Sequence, residues 1–372
     1  MIKKAVVIIG SGPAGISTAL SLINVMPELA NDILILEKEK HPRPKLCGGG
    51  VTAYAEQTLR SLNIRTQTFS FPIHNIEFYI KDRPIVFRRK NLMRIVRRDE
   101  FDAELAQHAR QAGIELKENE PVVALTRQHD KINVTTENDS YLTDVLVGAD
   151  GAKSFVRKKM LHEPKSRVSR LMEIVVAAES TAAEFKQHTA TFDFRAMKYG
   201  LQGYLWTFPG YINGKAHYNL GIFDSRIKAG KRADMQQLLK QYLSNRGISC
   251  EDVPLQGHPE RWFTRRGRYA APNVLLVGDA AGIEPWLGEG ISIALGYGSV
   301  AAQAIQAAFQ NKDFSFRNYT NFILNSRLGK LLKRNLKIAN LMYKIPSQTV
   351  ISGLAQLGKL LFDFKYNRHE QS

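Results

Sequence analysis

Cysteine is scarce in this chain: Cys47 and Cys250 are the two among 372 residues. That leaves no room for a disulfide framework and points to a reducing compartment. Apolar runs long enough for a membrane-spanning helix are not expected from the sequence. The two N-terminal lysines lead straight into an apolar strand, so no cleavable leader is expected and the reading is a cytoplasmic protein. Internal repeats and low-complexity tracts are missing, and no metal-ligand set is expected. Acid is in short supply: 35 Asp and Glu face 52 Lys and Arg, a net charge of +17. Such an excess calls for an anionic partner, namely nucleic acid, an acidic membrane surface or a phosphate-bearing ligand. No nucleic-acid-binding motif accompanies the charge, so nucleic acid is not expected. The excess is concentrated. Residues 81–98 hold eight Lys and Arg against Asp82 alone, and residues 313–372 hold ten against three acids.

What is present begins at once. Ile2 to Ile9 read as a buried strand, followed by Gly10-Ser11-Gly12-Pro13-Ala14-Gly15 and then helical apolar spacing from Ile16 to Met26. A second strand, Ile33 to Leu36, ends in Glu37 and Lys38. Gly10 permits the tight turn, Gly12 lets a pyrophosphate approach the backbone, and Gly15 lets the helix pack on the strand. Glu37 is placed to accept hydrogen bonds from a ribose diol. A strand, a glycine turn, a helix and an acid in this order predict a dinucleotide site.

Elsewhere the pattern changes. A βα-like region covers about 94–112, and a β-rich stretch runs from Val122 to Val147. Alternation in 172–178, 188–194 and 215–223 predicts antiparallel strands. Another buried strand, Asn273 to Val277, precedes a small-residue helix over about 289–309, and the remainder is mostly helical. The expected architecture is α/β. A discontinuous Rossmann-like domain is built from 1–68, 95–165 and 265–310. An antiparallel β-sheet substrate layer comes from 69–94 and 166–264, and a helical C-terminal segment occupies 311–372.

Three more strings bear on the nucleotide. They are Gly148-Ala149-Asp150-Gly151, Gly278-Asp279 with Gly288-Glu289-Gly290-Ile291 after it, and Arg98-x-x-Phe101-Asp102. Over about residues 1–300 the set resembles the flavoprotein family that includes the aromatic-ring hydroxylases and the geranylgeranyl reductases. The resemblance implies one extended FAD and no separate nicotinamide domain. Asp150 would be structural near the pyrophosphate. FAD contacts would come from Gly10, Gly12, Pro13, Ala14, Gly15, Glu37, Lys38, Arg43, Arg98, Gly278, Asp279, Gly288, Gly290 and Ile291.

Two strings resemble the geranylgeranyl reductase branch. In Arg43-Pro44-Lys45-Leu46-Cys47-Gly48-Gly49-Gly50-Val51, Cys47, Gly48 and Gly49 would approach the isoalloxazine. Cys47 would sit between flavin and substrate, or else be a small buried side chain; a reactive thiol needs a lowered pKa. In Gly203-Tyr204-Leu205-Trp206-Thr207-Phe208-Pro209, the strand period puts Tyr204, Trp206 and Phe208 on one face, a wall for a polyprenyl chain. The chain departs from the branch at Gly210, at Asn219-Leu220-Gly221 in place of a Gly-x-Gly, and at the bulky Trp286. The implied activity is reduction of isolated C=C bonds of an isoprenoid lipid or precursor, with Cys47, Tyr204 and Trp206 shaping the reactive site. An external reductant, NADPH or a reduced electron carrier, would recharge FAD. The FAD strings alone leave open an oxygen-using monooxygenase or halogenase, or a flavin-containing regulatory protein without turnover. Finally, residues 327–342 mix Leu331, Leu332, Leu336, Ile338, Leu341 and Met342 with five cations. They read either as a basic amphipathic helix on the inner face of an anionic membrane or as a helix packed on the protein.

Overall fold

Ile2–Ile9 alternates toward neither face, and in the computed structural model its inner half is closed off on both sides. The structure describes residues 1–162, 167–230, 232–249, 255–345 and 347–367, so Cys250 lies outside it. Ile2–Ile9 is flanked by Ile33–Leu36 and Ser140–Gly148, both parallel to it, with Glu115–Lys117 and Val274–Leu276 beyond them. Val6, Val7, Ile8, Ile33, Leu34, Ile35 and Val145–Val147 are fully buried, as strands covered on both faces require. Hairpin strands Val122–Gln128 and Lys131–Thr136 extend the sheet from Ser140–Gly148. Helices Pro13–Val25 and Ile291–Asn311 pack as a pair, with Ser17 Oγ donating to Leu295 O at 2.6 Å. Ile291–Asn311 has the length and mean hydropathy of a membrane-spanning helix, which the sequence reading did not anticipate. Most of it is buried inside the fold, so it is a core helix here.

The second sheet has eight strands in the order Gln256–Arg261, Val168–Ala177, Lys215–Asp224, Gly203–Ile212, Thr189–Asp193, Ser70–Tyr79, Ile85–Val96 and Gly50–Thr52. It is mixed rather than purely antiparallel, because Thr189–Asp193 runs parallel to Ser70–Tyr79. Alternation predicts a strand and its faces but says nothing about the direction of a distant partner. Ile95 and Val96 also belong to this sheet. They end the strand Ile85–Val96, which leads into the helix Arg98–Gln111, so the expected strand-then-helix order is present; the strand lies in the second sheet, and a boundary at 94/95 cuts it. Pro209 is tolerated in Gly203–Ile212 because Thr189–Asp193 pairs only with residues 205–207, leaving the Pro209 side outside that ladder.

The chain closes with helices Arg327–Lys344 and Gln348–Asn367. Leu328, Leu332, Ala339 and Tyr343 are buried, so the apolar side of the first of these is turned into the protein and the packed alternative holds for that face.

Candidate functional site

The carboxyl ends of the parallel strands deliver Gly10, Glu37, Ala149 and Val277 to one edge, the usual ligand edge of such sheets. Gly10 has φ +105°, and a Cβ there would lie 2.5 Å from Ala149 O. A Cβ on Gly15 would lie 1.9 Å from Gly10 O, so the helix start rests on the turn. Gly12 differs: a Cβ there would meet nothing nearer than Arg43 Nη2 at 3.8 Å. Its freedom from protein contact is what an approaching phosphate needs. Gly12 caps the helix without a side-chain bond and Pro13, at the first helical position, has no N–H to lose. The remaining first-turn N–H groups and the positive dipole end are offered to an anion. Ala14 packs beneath, against Gly278.

Glu37 is buried and already fixed. Its Oε2 accepts from Ser11 N at 3.1 Å and Ser11 Oγ at 2.7 Å, its Oε1 accepts from Glu39 N at 3.2 Å, and Arg43 Nε lies 3.4 Å away. Burial alone would raise its pKa, but Arg43 and the Ser11 hydrogen bonds together hold it below the ordinary glutamate value. Lys38, by contrast, is exposed and paired with Glu39 at 3.3 Å. Ser11 Oγ is also hydrogen-bonded to His41 Nε2 at 2.7 Å. Neither Ser11 nor His41 carried a signal in the sequence beyond lying beside the motif.

A line of alternating charge leads from there toward the other end. Arg43 bridges Glu37 to Asp102, whose Oδ2 is 3.7 Å from Arg43 Nη2. Asp102 is fully buried and takes both Nε and Nη2 of Arg98 at 2.9 Å, one helical turn away. That bidentate pair is the reason for the Arg-x-x-x-Asp spacing. Burial would lower the Arg98 pKa, yet Asp102 holds it raised. Asp150 organises its own turn, accepting from Ser154 Oγ at 2.6 Å and Val156 N at 3.0 Å. Arg157 then donates to Ala280 O at 2.7 Å and Ala281 O at 3.1 Å, tying this turn to the one that carries Asp279.

Cys47 lies where the loop after Glu37 meets the second sheet. Its N–H donates to Glu173 Oε1 at 2.9 Å, its Sγ accepts from Gly49 N at 3.4 Å, and its carbonyl accepts from Asn219 Nδ2 at 3.4 Å. Burial raises its pKa and outweighs the nearby Arg98, so the thiol is protonated near neutrality and is no thiolate nucleophile. Asn219 Oδ1 in turn accepts from Trp206 Nε1 at 2.7 Å. A Cβ on Gly48 would lie 2.9 Å from the Phe208 ring, and one on Gly221 would lie 2.2 Å from Trp206 Cζ2. The Asn219-Leu220-Gly221 departure thus has a local logic: the asparagine holds the indole and the glycine clears it. Tyr204, Trp206 and Phe208 do share a face, with neighbouring ring centroids 6.2 Å apart. The Tyr204 hydroxyl donates to Leu287 O at 2.5 Å.

A cleft of about 260 Å³ is lined by Lys45, Cys47, Arg98, Glu173, Phe208 and Asn219 among others; Tyr204 and Trp206 are not in its lining and stand behind Phe208 and Asn219. Glu173, Glu260, Glu284 and Asn219 were not anticipated. The available signal was an acid in phase with inward positions, since Glu173 follows Ser169 and Leu171 on the buried face of its strand. Glu284 is the organiser of the next loop, accepting from Trp286 N, Leu287 N and Glu289 N at 2.7–2.9 Å. Burial pushes its pKa up to about 7 against those hydrogen bonds. Burial, then the charges of Asp279 and Glu284, raise Glu260 well above the glutamate range, and burial also raises Glu173. Gly288 sits beside Glu260 Oε2, and Gly290 opens the helix Ile291–Asn311 without a side-chain cap. The Oε2 atoms of Glu173 and Glu260 are buried without a hydrogen-bond partner among the described residues. An open glycine cradle, a fixed ribose acceptor, two uncapped helix starts and two orphaned carboxyl oxygens fit an extended flavin dinucleotide.

The fold and site define a flavin-dependent oxidoreductase. The sequence matches the FAD binding domain family over residues 3–310, and the chain belongs to that family. It is 26% identical over 334 residues to a digeranylgeranylglycerophospholipid reductase of Picrophilus torridus, covering 85% of this chain and 81% of the relative. An uncharacterised protein of Methanosarcina barkeri is 28% identical over 353 residues, covering 91% and 82%. Among solved structures, a geranylgeranyl bacteriochlorophyll reductase-like protein from Thermoplasma acidophilum superposes with TM-score 0.77 at 21% identity, covering 95% and 91%. The probable FAD-dependent monooxygenase pqsL of Pseudomonas aeruginosa shares the fold at TM-score 0.70 and 17% identity, covering 95% and 100%.

Proposed function

We propose that the protein hydrogenates isolated C=C bonds of a geranylgeranyl-type isoprenoid lipid or its precursor, with FAD recharged by NADPH or a reduced electron carrier. One observation carries the reading beyond the family. The hydrogen-bond chain Glu173–Cys47–Asn219–Trp206 joins the loop after Glu37 to an aromatic strand wall, so an apolar surface and a buried acid meet at one cleft. The reductase names of relatives such as the Picrophilus protein support the same substrate class. Bound FAD, once reduced, supplies a hydride. The chain's residues do the rest. Gly10, Gly12, Gly15, Glu37 and Arg98 hold the cofactor. The rings of Tyr204, Trp206 and Phe208 exclude water and align the chain, because an isolated alkene offers no carbonyl to polarise. Glu173 lines the cleft, burial raises its pKa and so favours the protonated acid, and its Oε2 is left without a hydrogen-bond partner among the described residues and free to serve as the proton source. Cys47 contributes shape and a neutral thiol.

The test is anaerobic. Reduced holoprotein is mixed with a geranylgeranylated glycerophospholipid in detergent, and the lipid is weighed by mass spectrometry. The expected result is flavin reoxidation with a gain of two hydrogens for each bond reduced. No reoxidation by any isoprenoid, together with a long-lived hydroperoxyflavin spectrum in oxygen, overturns it in favour of a monooxygenase or halogenase.

A further inference from the structure

The two C-terminal helices show faces that nothing in the described fold covers. On Arg327–Lys344 the inward stripe is Leu328, Leu332, Ala339 and Tyr343, and the outward stripe is Lys330, Arg334, Lys337, Leu341 and Lys344. Outward positions recur at three- and four-residue spacing, so they form one continuous basic ridge. The next helix, Gln348–Asn367, turns Ile351 inward and sets Phe362 against Phe87 at 5.3 Å. Its other side is apolar and open: Leu357, Leu360 and Leu361 are 54%, 65% and 63% exposed, with Val350 and Leu354 extending the stripe. Half of the large apolar side chains exposed anywhere among the described residues lie on these two helices. A concentration of that kind marks an interaction site.

We propose that this helix pair docks on the surface of a lipid bilayer with anionic headgroups, the leucine ridge entering the acyl boundary and the lysine ridge meeting the headgroups. Charge selects the occupant. Asp363 is the one acid between 327 and 364, and Lys359 pairs with it. The hairpin against which the second helix packs adds exposed Lys81, Arg83, Arg88 and Lys90. A second copy of the chain would bring like charge against like. The placement also serves the cleft. Trp286 Nε1 donates to Met342 Sδ at 3.3 Å, and the Tyr343 hydroxyl donates to Trp286 O at 2.5 Å. Leu287, next in the loop, accepts from Tyr204 in the aromatic wall. The docking helix thus holds the same loop as the substrate wall, which puts the bilayer and a lipid's chain on opposite sides of one short segment. That last step rests on the lipid-substrate reading; the docking itself rests on the helices.

The test uses full-length holoprotein with vesicles of phosphatidylcholine alone or mixed with phosphatidylglycerol. The expected result is at least tenfold tighter sedimentation with the anionic vesicles. Both Leu357→Glu/Leu361→Glu and Arg334→Glu/Lys337→Glu should lose it, with FAD content and thermal unfolding unchanged. On detergent-dispersed isoprenoid the variants should turn over as before, and on vesicle-embedded isoprenoid they should slow. Equal binding by wild type and variants, or binding to neither vesicle, overturns the docking. So does a dimer in light scattering that the leucine changes dissolve in the absence of lipid. Anionic-vesicle binding lost in the variants, by a protein that reduces no isoprenoid, overturns the proposed substrate and leaves the docking standing.

Discussion

The two ends of the cofactor cleft are built differently. The phosphate and ribose end is local: Gly10, Gly12, Gly15 and Glu37 come from one βαβ unit, and backbone atoms do most of the work. The other end, where we propose that the flavin ring lies, brings together Cys47, Glu173, Trp206, Asn219 and Glu284 from five separate segments, and the side chains of Glu173, Asn219 and Glu284 tie them together. Binding chemistry that relies on backbone shape is written in short strings. Chemistry that relies on converging side chains exists only after folding.

The sharpest way to break this contrast is Gly12→Ala. A methyl there touches no protein atom closer than 3.8 Å and the backbone is extended, so the apoprotein should unfold at an unchanged temperature. FAD affinity should nonetheless fall at least 100-fold by titration of apoprotein, because the methyl takes the place of an approaching phosphate. Unchanged affinity would mean that the glycine serves the turn alone.

At the other end, Glu173→Gln should retain FAD yet lower turnover by roughly 10²-fold, within the range of lost general-acid catalysis. The raised pKa sets the sign: the protonated acid is present at low pH, and wild-type turnover declines as pH rises through it. The variant's pH–rate profile should lose that limb. A profile unchanged in shape would assign Glu173 to holding the Cys47 loop only.

A smaller effect concerns stability. Glu284 has its folded-state pKa raised from the model-compound value of 4.5 to about 7. The folded state holds the proton more tightly, so this contribution is fully present below about pH 4.5 and is lost as pH rises to about 7. The loss is on the order of 3 kcal/mol. Glu284→Gln should flatten the fall in melting temperature across that window in differential scanning calorimetry. The smallest effect is expected for Lys38→Ala. An exposed lysine paired with Glu39 should change FAD affinity less than threefold, which would remove it from the cofactor contacts.

Legibility in the sequence followed the same divide. Ile2–Ile9 and Ile33–Leu36 fall where the apolar runs place them, and the Arg98–Asp102 pair follows from helical spacing. Ile95–Val96 is a strand end ahead of a helix, as its pattern predicts, but the pattern does not say which sheet the strand belongs to, because two apolar residues ahead of a helix look alike in either. Glu173 carries one local signal, its phase with Ser169 and Leu171, but its burial, like that of Glu260, depends on partners far along the chain. The C-terminal amphipathic pattern was read correctly as a pattern, but folding assigns its apolar side to the protein and leaves the basic side facing out.

The strand Ile85–Val96 has a bearing on how such a protein diversifies. It begins among the outer strands of the substrate sheet, pairs along its length with Ser70–Tyr79, hydrogen-bonds through Val96 N to Gly49 O, and hands over directly to Arg98. A recombination event that exchanged the substrate sheet as a cassette would shift Arg98 and Gly49 with it. Single side-chain changes along Gly203–Ile212, by contrast, leave the Val96–Gly49 contact and the start of the Arg98 helix in place.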